Sequence, residues 1–166
     1  IAAWNMAQFA TSLIPLMDDR DAAIEEFTIA VNRFTNIYDQ ERRKVFGAKL
    51  GIANLGADDD ALLDELLDLM AQDGADFTNT FADLKNARDQ FIDRDAFDTW
   101  QKRWDARRDA DPINPLIIPR NHQVEAMIAA ALDGDYAPFH GMPAAATHPF
   151  APVADATAPF AKAPPA

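Results

Sequence analysis

The chain has 166 residues, 49% of them hydrophobic, which is enough for a domain with a core and too apolar for wholesale disorder. Fifteen basic and 27 acidic residues leave a formal net charge of -12, which argues against nucleic acid and anionic membranes as partners and otherwise reads as a solubilising surface. Cysteine is absent, so disulfide and thiol chemistry are excluded, and no apolar run approaches the roughly 18 residues a membrane-spanning helix needs.

The chain opens Ile1-Ala2-Ala3-Trp4-Asn5-Met6 in what already reads as a helix running to about Leu16. No basic-then-apolar signal pattern precedes it, and the expectation is a piece of a longer, cytoplasmic protein. The cluster Asp18, Asp19, Arg20 and Asp21 reads as a turn with a helix-capping carboxylate in preference to an acidic metal site.

Ile24, Phe27, Val31, Phe34 and Tyr38 follow at alternating intervals of three and four, one face of a long helix that Val45 and Leu50 prolong. Gly51 and Gly56 bracket its end. Asp58, Asp59 and Asp60 read as capping carboxylates at the positive end of a helix carrying Leu62, Leu63, Leu66, Leu67, Leu69 and Met70, in preference to a metal site, since they lack the ligand spacing of a calcium loop.

Beyond Gly74, Asp76 is positioned to cap a helix with Phe77, Phe81 and Leu84 on one stripe. Asp95 is expected to do the same for a helix with Phe97, Trp100 and Trp104, whose tryptophans read as helix–helix packing in preference to a ligand platform. Pro112, Pro115 and Pro119 make residues 111–120 extended. Asn121 is the expected N-cap of a short helix with Val124, Ile128 and Ala131 on one side, ended by Gly134. Asp135 then caps a last short helix in which Pro138 is tolerable and Pro143 is not. From Phe150 the composition turns to alanine and proline, read as a flexible, disordered tail over 150–166, so that 1–149 is the ordered portion. The fold class is all-α.

Catalytic signatures are missing: no glycine-rich phosphate loop, no Gly-x-Ser-x-Gly, no His-Glu-x-x-His and no paired-cysteine motif. His122, His140 and His148 could bind zinc only if the fold gathered them. Adjacent carboxylates such as Asp64 and Glu65 point to different sides of a helix and make poor acid–base partners. One run resists a generic account. Asn114-Pro115-Leu116-Ile117-Ile118-Pro119-Arg120-Asn121-His122 sets Arg120 and His122 among prolines and aliphatics, and the plain structural reading has both bonding free carbonyls at neighbouring helix ends.

That run, with Val124-Glu125 and Gly134-Asp135, resembles the C-terminal signature of the selenoprotein O (SelO/YdiU) family. Trp4-Asn5-Met6-Ala7 with Leu13-Ile14-Pro15-Leu16 resembles the helix that follows the family's metal-binding loop. Lys49-Leu50-Gly51 resembles its lysine-leucine-glycine helix end, and Ala75-Asp76-Phe77-Thr78-Asn79-Thr80-Phe81 its aspartate-aromatic-threonine segment. The four pieces stand in order from Trp4 to about Phe150.

The resemblance implies a protein-kinase-like fold, of which this is the helical C-terminal region. It implies an enzyme that binds ATP with Mg or Mn and transfers AMP to hydroxyl side chains of other proteins. The family's nucleotide lysines, catalytic aspartate and metal-binding residues have no counterpart here, so no catalytic, cofactor-binding or metal-binding residue is carried over. This chain alone is expected to be inactive, to bind neither ATP nor metal, and to pair with the family's N-terminal catalytic portion. The cysteine or selenocysteine that some family members place near the C-terminus is also lacking. The competing reading is a non-enzymatic, acidic helical interaction module, and the least favoured is a carboxylate or histidine metalloprotein.

Overall fold

A computed structural model describes residues 1–164, and no strand occurs among them. The helices are α1 (Ala2–Leu13), α2 (Arg20–Leu50), α3 (Asp60–Asp73), α4 (Phe77–Ala82), α5 (Arg94–Arg107), α6 (Asn121–Leu132) and α7 (Ala137–Ala146). Short 3-10 segments stand at Ile14–Leu16, Ala57–Asp59, Leu84–Gln90 and Ala158–Ala161. The all-α expectation therefore holds. The chain divides into two compact units, Ile1–Val45 and Phe46–Ala166, and the division falls within α2.

In the first unit the carboxylate of Asp19 accepts from the backbone N–H groups of Asp21 and Ala22, both at 3.1 Å, and starts α2 as a capping turn should. The apolar stripes of α1 and α2 line shallow grooves. One is bordered by Met6, Phe9, Leu13, Phe27, Val31 and Phe34. Ala23 alone is buried in this unit, while Trp4 and Phe9 remain 65% and 60% exposed.

The second unit holds the core. Leu50, Leu63, Leu66, Phe81, Phe97, Trp100 and Trp104 are closed off from solvent, and α3 packs along α5. The spacing of three and four sets the aromatic rings of α5 in a row, Phe97 against Trp100 at 5.5 Å and Trp100 on Trp104 at 5.6 Å, and Phe91, just before the helix, stacks on Phe97 at 4.4 Å. Both indoles also find acceptors. Trp100 Nε1 donates to the Leu62 carbonyl at 2.8 Å and Trp104 Nε1 to the Leu50 carbonyl at 2.7 Å, so the tryptophans are packing elements and helix-end anchors together. Arg107 clamps Asp59 with bonds of 2.6 and 2.9 Å, holding Asp59's carboxyl below its ordinary range.

The end of α2 is fixed by Gly51 at φ +69, with Ile52 N–H returning to the Gly47 carbonyl at 2.9 Å. The Gly51 carbonyl then accepts from the N–H groups of Asp109 and Ala110, both at 3.0 Å. A Cβ on Gly51 would run into the Ala110 carbonyl oxygen, so both handedness and space require glycine. This contact brings the extended segment that follows α5 onto the end of α2.

Five local expectations need correction, the first being that Asp135 caps the last helix: Tyr136 holds the cap position of α7 and no side-chain cap bond forms there. The cap of α5 is Asp93, whose carboxylate accepts from Ala96 N–H at 3.0 Å, and Asp95 sits inside the first turn. Asp59 makes no cap bond to α3 and instead reaches back to Gly56 N–H at 2.9 Å. Asn121 is the first helical residue of α6, Arg120 holds the cap position, and no side-chain cap bond forms. Pro143 lies inside α7, which continues to Ala146. A proline removes one intrahelical bond, and here the buried Met142 and Ala145 hold the turn in spite of it. At the tail, Ala158–Ala161 form a 3-10 turn, with Pro159 accepting from Gln123 Nε2 at 3.0 Å. Pro165 and Ala166, the last residues of the expected flexible tail, lie outside the described residues.

Candidate functional site

Three of the sequence segments singled out above meet in one polar cluster of the second unit. Asp76 has non-helical backbone and caps α4 by accepting from Asn79 N–H at 2.8 Å. The same carboxylate receives Arg120 in a two-pronged ion pair, Nη1 to Oδ2 at 2.6 Å and Nη2 to Oδ1 at 2.9 Å. Arg120 Nη2 also donates to Asn79 Oδ1 at 2.8 Å. The guanidinium beside Asp76 holds its carboxyl below the usual carboxylate range, against the opposing effect of burial. Arg120 is buried, and its Nε is without a hydrogen-bond partner.

The other half of the cluster joins the end of α2 to the extended segment. Lys49 Nζ donates to Asn114 Oδ1 at 3.2 Å, and Asn114 Nδ2 donates back to the Lys49 carbonyl at 2.8 Å. Asn114 thereby satisfies one of the carbonyls that a helix end leaves open. The Lys49 ammonium lies 5.5 Å from the ring centre of Phe77 and 5.2 Å from that of Phe81, and partial burial pushes its pKa down. Thus Lys49, the Asp76–Phe81 segment and the run from Asn114 to Arg120 form one brace. Beside it, the Pro149 carbonyl accepts from Leu116 N–H at 2.7 Å.

The structure corrects the reading of Arg120 and His122 as partners of free carbonyls. Arg120 is committed to two side chains of α4, and the recorded contact of His122 is with Gln123, at 3.1 Å between their Nε2 atoms. The remaining histidines also keep to sequence neighbours: the ring of His140 stands edge-on to Phe139, and His148 Nδ1 lies 3.1 Å from Thr147 Oγ1. The fold does not gather the three. Among the described residues no group of three or more His, Cys, Asp or Glu side chains could hold a metal ion.

Chemically the cluster is a strut whose charged ends face protein partners, with Arg120 Nε the one guanidinium nitrogen left unpaired. Its two cations are spent on Asp76, Asn79, Asn114 and two aromatic faces, so the donor set does not fit a nucleotide's phosphates or the metal that accompanies them. What the sequence did not show was the pairing. Asp76 reads as a cap, and only its distance from Arg120 reveals a second duty. The available signal was an arginine set among prolines and aliphatics, a position that demands a carboxylate partner if it is buried.

A sequence model described as "Protein adenylyltransferase SelO" matches residues 1–109. The chain belongs to the SelO family. Among its relatives, "Protein nucleotidyltransferase YdiU" of Roseobacter denitrificans is 48% identical over 160 residues, covering 90% of this chain and 34% of that protein. The protein of the same description from Ruegeria sp. (strain TM1040) is 46% identical over the same shares, and that of Methylorubrum populi is 35% identical over 99% of this chain. The chain therefore spans about a third of the length of the curated SelO relatives it matches. The family match reaches Lys49 and Asp76, and the longer alignments cover most of the chain, so the resemblance and the brace involve the same segments.

Proposed function

We propose that these 166 residues are the helical C-terminal portion of a protein nucleotidyltransferase with a protein-kinase-like fold. The whole enzyme uses ATP and Mg or Mn to transfer AMP to hydroxyl side chains of other proteins, and it works in the cytoplasm. In this reading the portion over 1–149 is scaffold, the stretch over 150–166 is an Ala/Pro-rich tail, and the groups that grip the triphosphate belong to polypeptide outside this stretch. The observation that carries the proposal is the brace itself. Three of the segments that mark the family meet at a strut whose two cations are paired with protein side chains, the arrangement expected of a support and not of a catalytic centre.

The extent of the relatives supports the same division, since two thirds of their length has no counterpart in the matched portion. The apolar stripe of α1 and α2, with Trp4 and Phe9 in water, is the surface on which we expect the catalytic portion to pack. The test is direct. The 166-residue chain, incubated with ATP, Mg and a protein acceptor, should transfer no AMP and show no thermal shift, while a full-length relative should do both. Robust transfer by the chain alone overturns the proposal.

A second reading, a non-enzymatic acidic interaction module, is favoured by one observation, the exposed apolar face of α6 and α7. The two readings separate on the sequence that adjoins residue 1 in the gene, which the nucleotidyltransferase reading requires to encode a nucleotide-binding loop and metal-binding Asp and Asn residues.

A further inference from the structure

α6 buries none of its twelve residues, although Val124, Met127, Ile128 and Leu132 give it an apolar side. Together with α7 it forms an open groove of about 350 Å³ lined by Met127, Ile128, Ala131, Leu132, Tyr136 and Phe139. Leu132 is 84% exposed, Tyr136 57% and Phe139 49%. Pro159 and Phe160 of the same chain take other positions, at Gln123 and against Gly141, and leave this groove open.

The stretch of chain that builds it carries charge of one sign. From residue 121 to residue 161 the chain contains no Lys or Arg, and its ionised groups are Glu125, Asp133, Asp135 and Asp155. Glu125 precedes Ile128 and Leu132 by three and seven residues on α6, and so lies along the same side of the helix. Asp133 and Asp135 stand in the turn between Leu132 and Tyr136, and the Asp135 carboxylate accepts from Ala137 N–H at 3.0 Å. The cation at the start of α6, Arg120, is neutralised by Asp76. Lys162 lies one residue beyond the tail's 3-10 turn.

We propose that this groove docks a basic amphipathic helix of another protein, with two or three apolar anchors seated along α6 and Lys or Arg side chains facing Glu125, Asp133 and Asp135. Apolar anchors at helical spacing fit a groove between two helices, and opposite charge at the rim sets orientation and speeds encounter. A second copy is disfavoured by the same charges: a two-fold contact through this face would set the acidic rim against its own image, on chains that each carry -12.

The probe is a fluorescein-labelled peptide of about 15 residues, Leu and Phe on one helical face and Lys elsewhere, with a control in which every Lys is Glu. Anisotropy should show salt-sensitive binding of the basic peptide to the 166-residue chain, and binding of the acidic control at least about tenfold weaker. Leu132→Asp, at a site open to water, should weaken the basic peptide about tenfold or more while circular dichroism and melting stay unchanged. With the 166-residue chain, four outcomes overturn the proposal: no binding of the basic peptide; equal binding of both peptides; indifference to Leu132→Asp; or a doubled mass in solution that Leu132→Asp halves, which makes the occupant a second copy. Introduced into a full-length relative, the equivalent change should leave the melt unaltered. A clear loss of stability there means the relative's own chain covers the face, and likewise sinks the proposal.

Discussion

Trp4 and Phe9 of the unit Ile1–Val45 stay in water, whereas Phe97, Trp100 and Trp104 of the unit Phe46–Ala166 stack against each other and the two tryptophans bond to backbone carbonyls. Both units are helical and both carry apolar residues at intervals of three and four, so periodicity does not separate them. The difference lies in what each stripe meets. Trp100 finds α3 and the Leu62 carbonyl in its first turn, and Trp104 finds the open Leu50 carbonyl at the end of α2. Trp4 and Phe9, on a helix with no buried residue, remain largely in solvent, Phe9 on the edge of a shallow groove. An amphipathic helix is thus a request for a partner, which α3 and α5 find in each other while α1 and α6 bury no residue.

The sharpest way to break this contrast is at the centre of the second unit. Trp104→Ala should cost about 4 kcal/mol, because it opens a cavity and strands the Leu50 carbonyl, and urea unfolding should show it as a large drop in midpoint. Arg120→Ala should cost about 3 kcal/mol, since it leaves the Asp76 carboxylate and Asn79 without their shared donor. Arg120→Lys should recover only part of the loss, because an ammonium cannot make the two-pronged contact.

The pH dependence is a smaller effect. Asp76 titrates lower in the folded chain than in the unfolded one, so its contribution is complete above about pH 5 and fades as the pH falls through the lowered folded-state value. The acid limb of a thermal melt series should shrink in Asp76→Asn, which keeps a good cap and loses the charge pair. The smallest effect on stability belongs to the first unit. Phe9→Ser should leave the midpoint of the second unit within about 0.5 kcal/mol and reduce aggregation, measured by light scattering. A stability loss there comparable to that of Trp104→Ala would erase the distinction between the units.

The order and character of the helices were legible in the chain, because a stripe at three-and-four spacing and a glycine or aspartate at its ends are local signals. Asp76 and Asp19 cap as expected for that reason. Asp93 took the place expected of Asp95 because two aspartates compete for one helix start and backbone geometry chooses between them. Pro143 stayed helical because its neighbours Met142 and Ala145 are buried, a fact that belongs to packing and not to the residue.

The candidate site divides in the same way. Its members were visible as motifs: Lys49 at a helix end, Asp76 before two phenylalanines, Arg120 among prolines. Their meeting was not. Lys49 and Asn114 are 65 positions apart, Asp76 and Arg120 are 44, and no local rule relates residues at such separations. By itself the sequence determined seven helices, an apolar core built on the α5 tryptophans, a strong negative charge and membership of a family. Only the tertiary structure decided that the basic residues of the signature segments are spent on internal partners, because ion pairing depends on distance and burial, which are properties of the folded chain.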